Sequence, residues 1–156
     1  MAETTFTNQT VVVTGASLGI GRATALAFGE SGANVVVNYR SSEDAAHDVV
    51  AQIEAAGGKA IAHQADMADQ EAVESLIQRG VDEFGQVDIA VSNAAYSDRD
   101  FFYQADMEEF RRTVDVTMWG AFYLTRAATQ QMISQGDGGI ITLVSSPHAF
   151  IPAPKA

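Results

Sequence analysis

The residues of this chain with the clearest chemical potential form a glycine-rich segment, Thr14-Gly15-Ala16-Ser17-Leu18-Gly19-Ile20-Gly21. The segment follows a run of valines and leads directly into a stretch of helical period. Glycine permits backbone angles and close approaches that a Cβ would forbid, and the free N–H groups at a helix start attract a pyrophosphate. The pattern therefore indicates phosphate binding. The alternative is that these glycines only pack a helix against a strand.

The elements that must position this turn alternate between short β-branched runs and longer segments of helical period. Five apolar runs predict strands: Val11–Val13, Val35–Val37, Ala60–Ala62, Val87–Val91 and Ile140–Val144. Uninterrupted apolar runs are typical of strands that helices cover on both faces. The sequence therefore predicts an α/β fold, a doubly wound parallel sheet, in one domain over residues 1–156.

Polar and glycine residues between these runs predict where helices begin and end. Ser41, with Asp44 three residues later, and Asp106, with Glu109 three residues later, are expected to begin helices. Gly57-Gly58 and Gly85 are expected to end them. The inward faces are predicted to carry Ala45, Val49 and Ile53 in the second helix, and Val73, Leu76, Ile77 and Val81 in the third.

The segment from Asp106 to about Gln135 is apolar on more than one side. Its apolar residues include Phe110, Val114, Met118, Phe122, Leu124 and Met132. Two explanations remain open at this point. The helix either buries a second face against another subunit or is sandwiched within one domain.

Composition excludes several classes of partner and site. The formal net charge of −11, without a lysine or arginine run, argues against a nucleic-acid partner. The chain has no cysteine and three scattered histidines, so no metal site is predicted. No apolar run approaches the roughly 18 residues that a membrane span requires, and the N-terminus does not resemble a secretion signal. We therefore expect a cytoplasmic protein without a membrane partner.

The segment from Thr14 to Gly21 resembles the cofactor signature of the short-chain dehydrogenase/reductase family, and the similarity continues from about Gln9 to the end of the chain. Asp66, followed by Met67, matches the acidic residue that contacts the adenine ring in that family. Asn93-Ala94-Ala95 is similar to the Asn-Asn-Ala-Gly motif beside the cofactor, although Ser92 replaces the first asparagine and Ala95 the glycine. The resemblance implies a Rossmann-like fold whose cofactor contacts include Gly15, Ser17, Leu18, Gly19, Ile20, Gly21, Asp66, Met67, Asn93, Ala94 and Ala95.

The end of the second predicted strand bears on which cofactor is used. In such folds an acid there binds the ribose 2′-hydroxyl of NAD, whereas a nearby arginine accommodates the 2′-phosphate of NADP. Here the strand leads into Arg40 and Ser41, with no acid before Glu43. NADP is therefore the predicted cofactor, with NAD also possible because Leu18 replaces a basic residue that many NADP-preferring relatives carry. The alternative is a solvated Arg40 and a Ser41 that only caps a helix.

The resemblance also implies catalytic positions. Ser146 aligns with the family serine that polarises the substrate carbonyl, with Ser145 as the alternative if the register shifts by one. The alternative is that Ser146 has no catalytic role and simply starts a loop. Thr117 occupies the position of the family asparagine that anchors a proton-relay water, and threonine lacks the amide. His148 lies near Ser146 and is assigned to a surface loop.

No Tyr-x-x-x-Lys occurs in the chain, whose tyrosines are Tyr39, Tyr96, Tyr103 and Tyr123. In the family this motif supplies the proton donor and its tuning lysine, and it would fall just beyond Ala156. We therefore expect the sequence to be a C-terminally truncated family member, cut after the fifth strand and inactive alone.

The predicted function is an NADP-preferring oxidoreductase that interconverts an alcohol and a ketone or aldehyde. The nearest resemblance is to glucose 1-dehydrogenase-like and 3-oxoacyl-carrier-protein reductase-like members, and a complete chain is expected to form a homodimer or homotetramer. The alternative is a non-catalytic nucleotide-binding, redox-sensing or interaction protein. A receiver or flavodoxin-like domain is a weaker hypothesis because such domains do not need the glycine-rich turn.

Overall fold

A computed structural model describes residues 5–97 and 99–147 of the chain. Five strands alternate with helices: β1 (Thr10–Val13), β2 (Asn34–Tyr39), β3 (Lys59–Gln64), β4 (Ile89–Ser92) and β5 (Ile140–Leu143). The helices are α1 (Gly19–Glu30), α2 (Glu43–Ala55), α3 (Gln70–Phe84), α4 (Met107–Val114) and α5 (Gly120–Gln135). A 3₁₀ turn (Phe102–Gln104) precedes α4, and a π-helical turn (Asp115–Trp119) joins α4 to α5.

The five strands form one parallel sheet in the order β3-β2-β1-β4-β5. Val12 in the centre of β1 pairs with Val36 of β2 and with Ala90 of β4. The chain builds the sheet outward from β1 in one direction and then returns to add β4 on the other side. This reversal confirms the predicted doubly wound fold and creates a crevice at the carboxyl ends of β1 and β4.

Helices cover both faces of the sheet at β1 and β2, which explains the uninterrupted valine runs of these strands. The prediction does not hold for β5, where Ile140 and Leu143 are exposed at the edge of the sheet. Val11, Val13, Val35 and Val37 pack on one face against buried residues of α1 and α2. Val12 and Val36 point to the other face, where they pack against α3 and α5. Successive strand residues alternate between faces, so both sets must be apolar when both faces are covered.

The helix caps agree with the sequence in most places. Asp106 is the N-cap of α4, where its Oδ1 accepts from the backbone N–H groups of Glu108 and Glu109 at 2.7 and 3.1 Å. Gly85 ends α3 with a φ of 88°, the left-handed region that glycine enters at least cost.

Three local predictions require correction. Helix α2 begins at Glu43 after Ser42, so Ser41 does not start it. Its buried stripe is Ala46, Val49 and Ile53 rather than one with Ala45, because a strict spacing of four residues drifts away from the 3.6-residue helical period. The long helix predicted from Asp106 is divided by the π-helical turn.

Within the described residues, no helix is both long enough and apolar enough to cross a membrane. The same residues contain no group of three or more histidine, aspartate or glutamate side chains placed to hold a metal ion. His148 and residues 151–156 lie outside the described residues.

Candidate functional site

A cavity of about 660 Å³ lies at the carboxyl ends of β1 to β4, at the point where the strand order reverses. Eleven of the residues predicted to bind cofactor line it: Gly15, Ser17, Gly19, Ile20, Arg40, Ser41, Asp66, Met67, Asn93, Ala94 and Ala95. The other two predicted residues do not line the cavity, because Leu18 is exposed and Gly21 is buried in α1. Four separate chain segments therefore meet at one concave site, the usual position of ligands in open α/β sheets.

The glycine-rich turn is held against the end of β4 by a set of hydrogen bonds. The Thr14 hydroxyl accepts from the backbone N–H groups of Asn93 and Ala94, at 2.9 and 3.0 Å, and donates to the Val91 carbonyl oxygen at 3.3 Å. In return, the Asn93 side-chain amide donates to the carbonyl oxygens of Thr14 and Gly15, at 2.9 and 3.3 Å. The two segments that were predicted to flank the cofactor are thus fixed to each other.

Close packing explains two of the three glycines of the turn. A Cβ on Gly21 would lie 2.5 Å from Asn93 Nδ2 and closer still to the Gly15 carbonyl oxygen. Gly15 has a φ of 61°, and a Cβ there would lie 3.0 Å from the Ala94 Cα. Both positions therefore exclude a side chain.

Asn38, at the end of β2, connects three segments of the cavity wall and was missed from the sequence. Its Oδ1 accepts from the Gly15 N–H at 3.0 Å, and its Nδ2 donates to the Ala65 carbonyl oxygen at 3.1 Å. The residue is buried. The only available signal was a polar residue at the end of a run of three valines.

The N-terminus of α1 faces this cavity through Gly19 and Ile20. Leu18 is its N-cap and contributes no side-chain hydrogen bond to the first turn. The first N–H groups of a helix have no partners within the helix, and they carry partial positive charge. An uncapped helix start on a cavity wall suits a phosphate ligand.

Charged groups on the cavity wall are predominantly cationic although the chain is acidic. Arg40, Arg99 and Arg112 line the cavity, and Asp66 is the acidic residue among the lining positions. Arg40 forms no ion pair with any residue that the structure describes, and its backbone carbonyl oxygen accepts from Gln64 Nε2 at 2.8 Å. Its guanidinium is therefore available to an anionic ligand.

Both carboxylate oxygens of Asp66 accept a hydrogen bond. Its Oδ1 accepts from the Ala68 N–H at 3.0 Å, and its Oδ2 accepts from Arg112 Nη2 at 2.6 Å. Partial burial raises the pKa of the Asp66 carboxyl, but the hydrogen bonds from Arg112 and Ala68 and the charges of Arg112 and Arg40 more than offset it. The net effect lowers the pKa below its ordinary value, so the group is ionised at neutral pH.

The two predicted catalytic residues do not line this cavity. Thr117 lies in the π-helical turn, where its hydroxyl accepts from the Tyr96 N–H at 3.2 Å and donates to the Tyr96 carbonyl oxygen at 3.0 Å. Ser146 follows β5, and the Val144 N–H extends the ladder to the Ser92 carbonyl oxygen at 2.9 Å. Ser145 and Ser146 therefore leave the sheet at the same edge as Asn93.

Comparison with known proteins identifies the family. Residues 9–156 match the family profile described as short chain dehydrogenase. The chain belongs to this family. Short chain dehydrogenases are oxidoreductases on a Rossmann-like fold, in agreement with the sheet order and with the position of the cavity.

Individual relatives match most of this chain but only part of their own length. The chain is 43% identical over 143 residues to an L-rhamnose 1-dehydrogenase (NAD(P)(+)) of Sphingomonas sp. strain SKA58, covering 92% of this chain and 56% of the relative. It is 42% identical to a 3-oxoacyl-[acyl-carrier-protein] reductase of Synechocystis sp., covering 91% of this chain and 58% of the relative. The chain thus spans less than two thirds of either protein.

A solved structure of a short chain dehydrogenase from Burkholderia cenocepacia J2315 in complex with NADP superposes with a TM-score of 0.90. It is 33% identical in sequence, and the match covers 97% of this chain and 61% of that one. The arrangement of all five strands is therefore shared with a family member that binds NADP.

Proposed function

We propose that the cavity at the ends of β1 to β4 binds NADP(H) in preference to NAD(H). The observation that carries this proposal is Arg40, which lines the cavity directly after β2, next to Ser41, with no ion-pair partner among the described residues. A guanidinium there can pair with a 2′-phosphate by charge-assisted hydrogen bonds. The NADP complex of the Burkholderia relative supports this choice, whereas the name of the Sphingomonas relative allows both cofactors.

The residues of the cavity fit the rest of such a cofactor. The uncapped start of α1, with Gly15, Ser17, Gly19 and Ile20 on the wall, would hold the pyrophosphate. The ionised Asp66 would accept a hydrogen bond from the adenine amine, with Met67 beside it. The segment Asn93-Ala94-Ala95 would flank the remaining ribose and nicotinamide, with Leu18 at the mouth of the site and Gly21 supporting the turn from behind.

The proposed reaction is the interconversion of an alcohol and a ketone or aldehyde. The bound nicotinamide supplies or accepts the hydride. Ser146, at the edge of the sheet shared with Asn93, would donate a hydrogen bond to the substrate carbonyl oxygen. Sugars and oxoacyl groups, the substrates in the names of the two curated relatives, define the range of candidates.

Thr117 supports a second candidate, a nucleotide-binding protein without catalysis. Its single hydroxyl proton is donated to the Tyr96 carbonyl oxygen, so the hydroxyl has no further proton to donate to a relay water. No Tyr-x-x-x-Lys is present among these 156 residues. We propose that this chain binds cofactor but does not sustain turnover, since general acid catalysis contributes about 10²- to 10⁴-fold. Steady oxidation of NADPH by the 156-residue protein with a ketone would contradict that expectation.

We propose that residues 1–156 form one domain.

We further propose that the protein self-associates through the surface formed by α4 and α5. Large apolar side chains are exposed there, with Phe110, Met118 and Phe122 each at least half accessible. Exposed apolar surface of this kind marks interaction sites. Light scattering would detect a dimer or tetramer that Phe122→Glu dissociates, and a monomer at all concentrations would reject the proposal.

The cofactor preference is tested by the dissociation constants of NADP⁺ and NAD⁺ for wild type and Arg40→Met. We expect wild type to prefer NADP⁺ and Arg40→Met to reduce that preference by about 10-fold or more, the value of a charge-assisted hydrogen bond. Arg79→Met removes a similar cation from the exposed side of α3 and should leave the preference unchanged. Equal preference in wild type and Arg40→Met would reject the assignment.

A further inference from the structure

Arg112 is tied to the one acidic residue of the cavity wall by a contact between distant parts of the chain. Its Nη2 lies 2.6 Å from Asp66 Oδ2, across 46 residues of sequence, and joins α4 to the loop after β3. Neither side chain is fully exposed, with 28% of Arg112 and 36% of Asp66 accessible. Because the Ala68 N–H holds the other oxygen, the carboxylate is fixed in its plane.

The contact also determines which hydrogen bonds Asp66 can make. An ionised carboxylate accepts only, with about four lone-pair sites on its two oxygens, whereas a protonated carboxyl can also donate. Arg112 and Ala68 use two of those sites and leave others for a ligand. A carboxyl held ionised beside Arg112 can therefore receive an N–H of a ligand but repels a carbonyl oxygen.

We propose that Arg112 is a positioning residue for purine recognition, which fixes Asp66 so that the cavity selects adenine, with its exocyclic amine, over hypoxanthine, with a carbonyl oxygen at the same place. This inference rests on the proposed dinucleotide site and adds a specific role for α4. Without Arg112, the carboxylate is free to turn and more easily protonated, and both changes allow it to approach a carbonyl oxygen.

The test compares NADP⁺ and nicotinamide hypoxanthine dinucleotide phosphate, which differ along one edge of the purine. Adenine has an amine beside an unprotonated N1, whereas hypoxanthine has a carbonyl oxygen beside an N1–H. The dissociation constants of the two cofactors are measured calorimetrically for the full chain at neutral pH. Wild type should prefer the adenine cofactor by about 10-fold or more, as expected for a hydrogen bond to a charged group. Arg112→Met should remove most of that ratio, and Arg112→Lys, which retains the positive charge, should restore part of it.

The matched control is Arg126→Met, which breaks the 3.1 Å salt bridge of Arg126 with Glu74 between α5 and α3, outside the cavity. It should leave the ratio of the two constants at the wild-type value. A ratio that is unchanged in Arg112→Met, or equally reduced in both variants, would overturn the role of Arg112 and leave the dinucleotide site intact. If wild type binds neither cofactor, the proposed function itself fails.

Discussion

The side-chain amide of Asn93 donates a hydrogen bond to the carbonyl oxygen of Thr14 at 2.9 Å, although 79 residues separate them in sequence. The bond joins the end of β4 to the end of β1. Asn93 is therefore best understood as a support for the turn as well as a part of the cavity wall.

Asn93→Asp should destabilise the protein and weaken cofactor binding. The substitution places a carboxylate against the carbonyl oxygens of Thr14 and Gly15 and removes the donor that now serves both. We expect the free energy of unfolding in urea to fall by about 1–3 kcal/mol. Gln130→Glu, the same amide-to-carboxylate change on the exposed side of α5, is the control and should cause little loss. Equal stability of the two variants would argue against the bridging role.

Gly21→Ala should abolish NADPH binding at concentrations that saturate wild type. The added Cβ would lie 2.5 Å from Asn93 Nδ2 and closer to the Gly15 carbonyl oxygen, so the turn must move away from α1. Overpacking of this kind costs about 1–3 kcal/mol. Gly85→Ala also loses stability because its φ is 88°, but its Cβ would meet open space far from the cavity. Of the two variants, only Gly85→Ala should therefore bind NADPH in a fluorescence titration. Normal binding of NADPH to Gly21→Ala would contradict the packing argument.

Thr117→Val should lower the free energy of unfolding by about 1 kcal/mol, because the two hydrogen bonds between the Thr117 hydroxyl and the Tyr96 backbone are lost. Thr125→Val is the comparison. The Thr125 hydroxyl donates only to the Ala121 carbonyl oxygen four residues earlier in α5, so its loss should cost less. If chemical denaturation shows the smaller loss for Thr117→Val, the hydroxyl does not hold the loop after β4.

Acid should destabilise the protein partly through His63. Burial and the charge of Arg79 lower the pKa of His63 below its ordinary value of 6.5, so the unfolded chain binds the proton more readily than the folded one. This contribution to stability is full above the ordinary pKa and is lost as the pH falls from that value through the folded pKa. Thermal unfolding between about pH 7.5 and pH 5 should show a shallower loss of Tm for His63→Gln than for wild type. If His63→Gln loses Tm with the same slope as wild type, His63 does not contribute to the acid sensitivity.

The sheet and most of the cavity wall follow from local patterns in the sequence. Valine runs with glycine or polar residues after them predict parallel strands, and the carboxyl ends of parallel strands meet at one edge. Arg40 and Asn93 could be assigned to that edge without knowledge of tertiary contacts. The switch of strand order between β1 and β4 then places their loops around a common crevice.

Other features depend on contacts that local patterns do not contain. The pairing of Arg112 with Asp66 requires α4 to pack beside the loop after β3, and nothing in either segment specifies the partner. The bridging role of Asn38 depends likewise on three segments that meet only in the folded chain. The π-helical turn around Thr117 was predicted as regular helix because its residues carry no glycine or proline signal.

One dinucleotide is proposed to bind where the segments after β1, β2, β3 and β4 meet. Amide hydrogen exchange of the chain, measured with and without saturating NADPH, would locate the bound cofactor. We expect added protection in four segments, around residues 15–21, 38–42, 65–68 and 93–96. We expect no change at a second groove, which lies between the end of α5 and β5 and includes Thr129 and Gly136. Protection at that groove, or no protection in the four segments, would contradict the proposal.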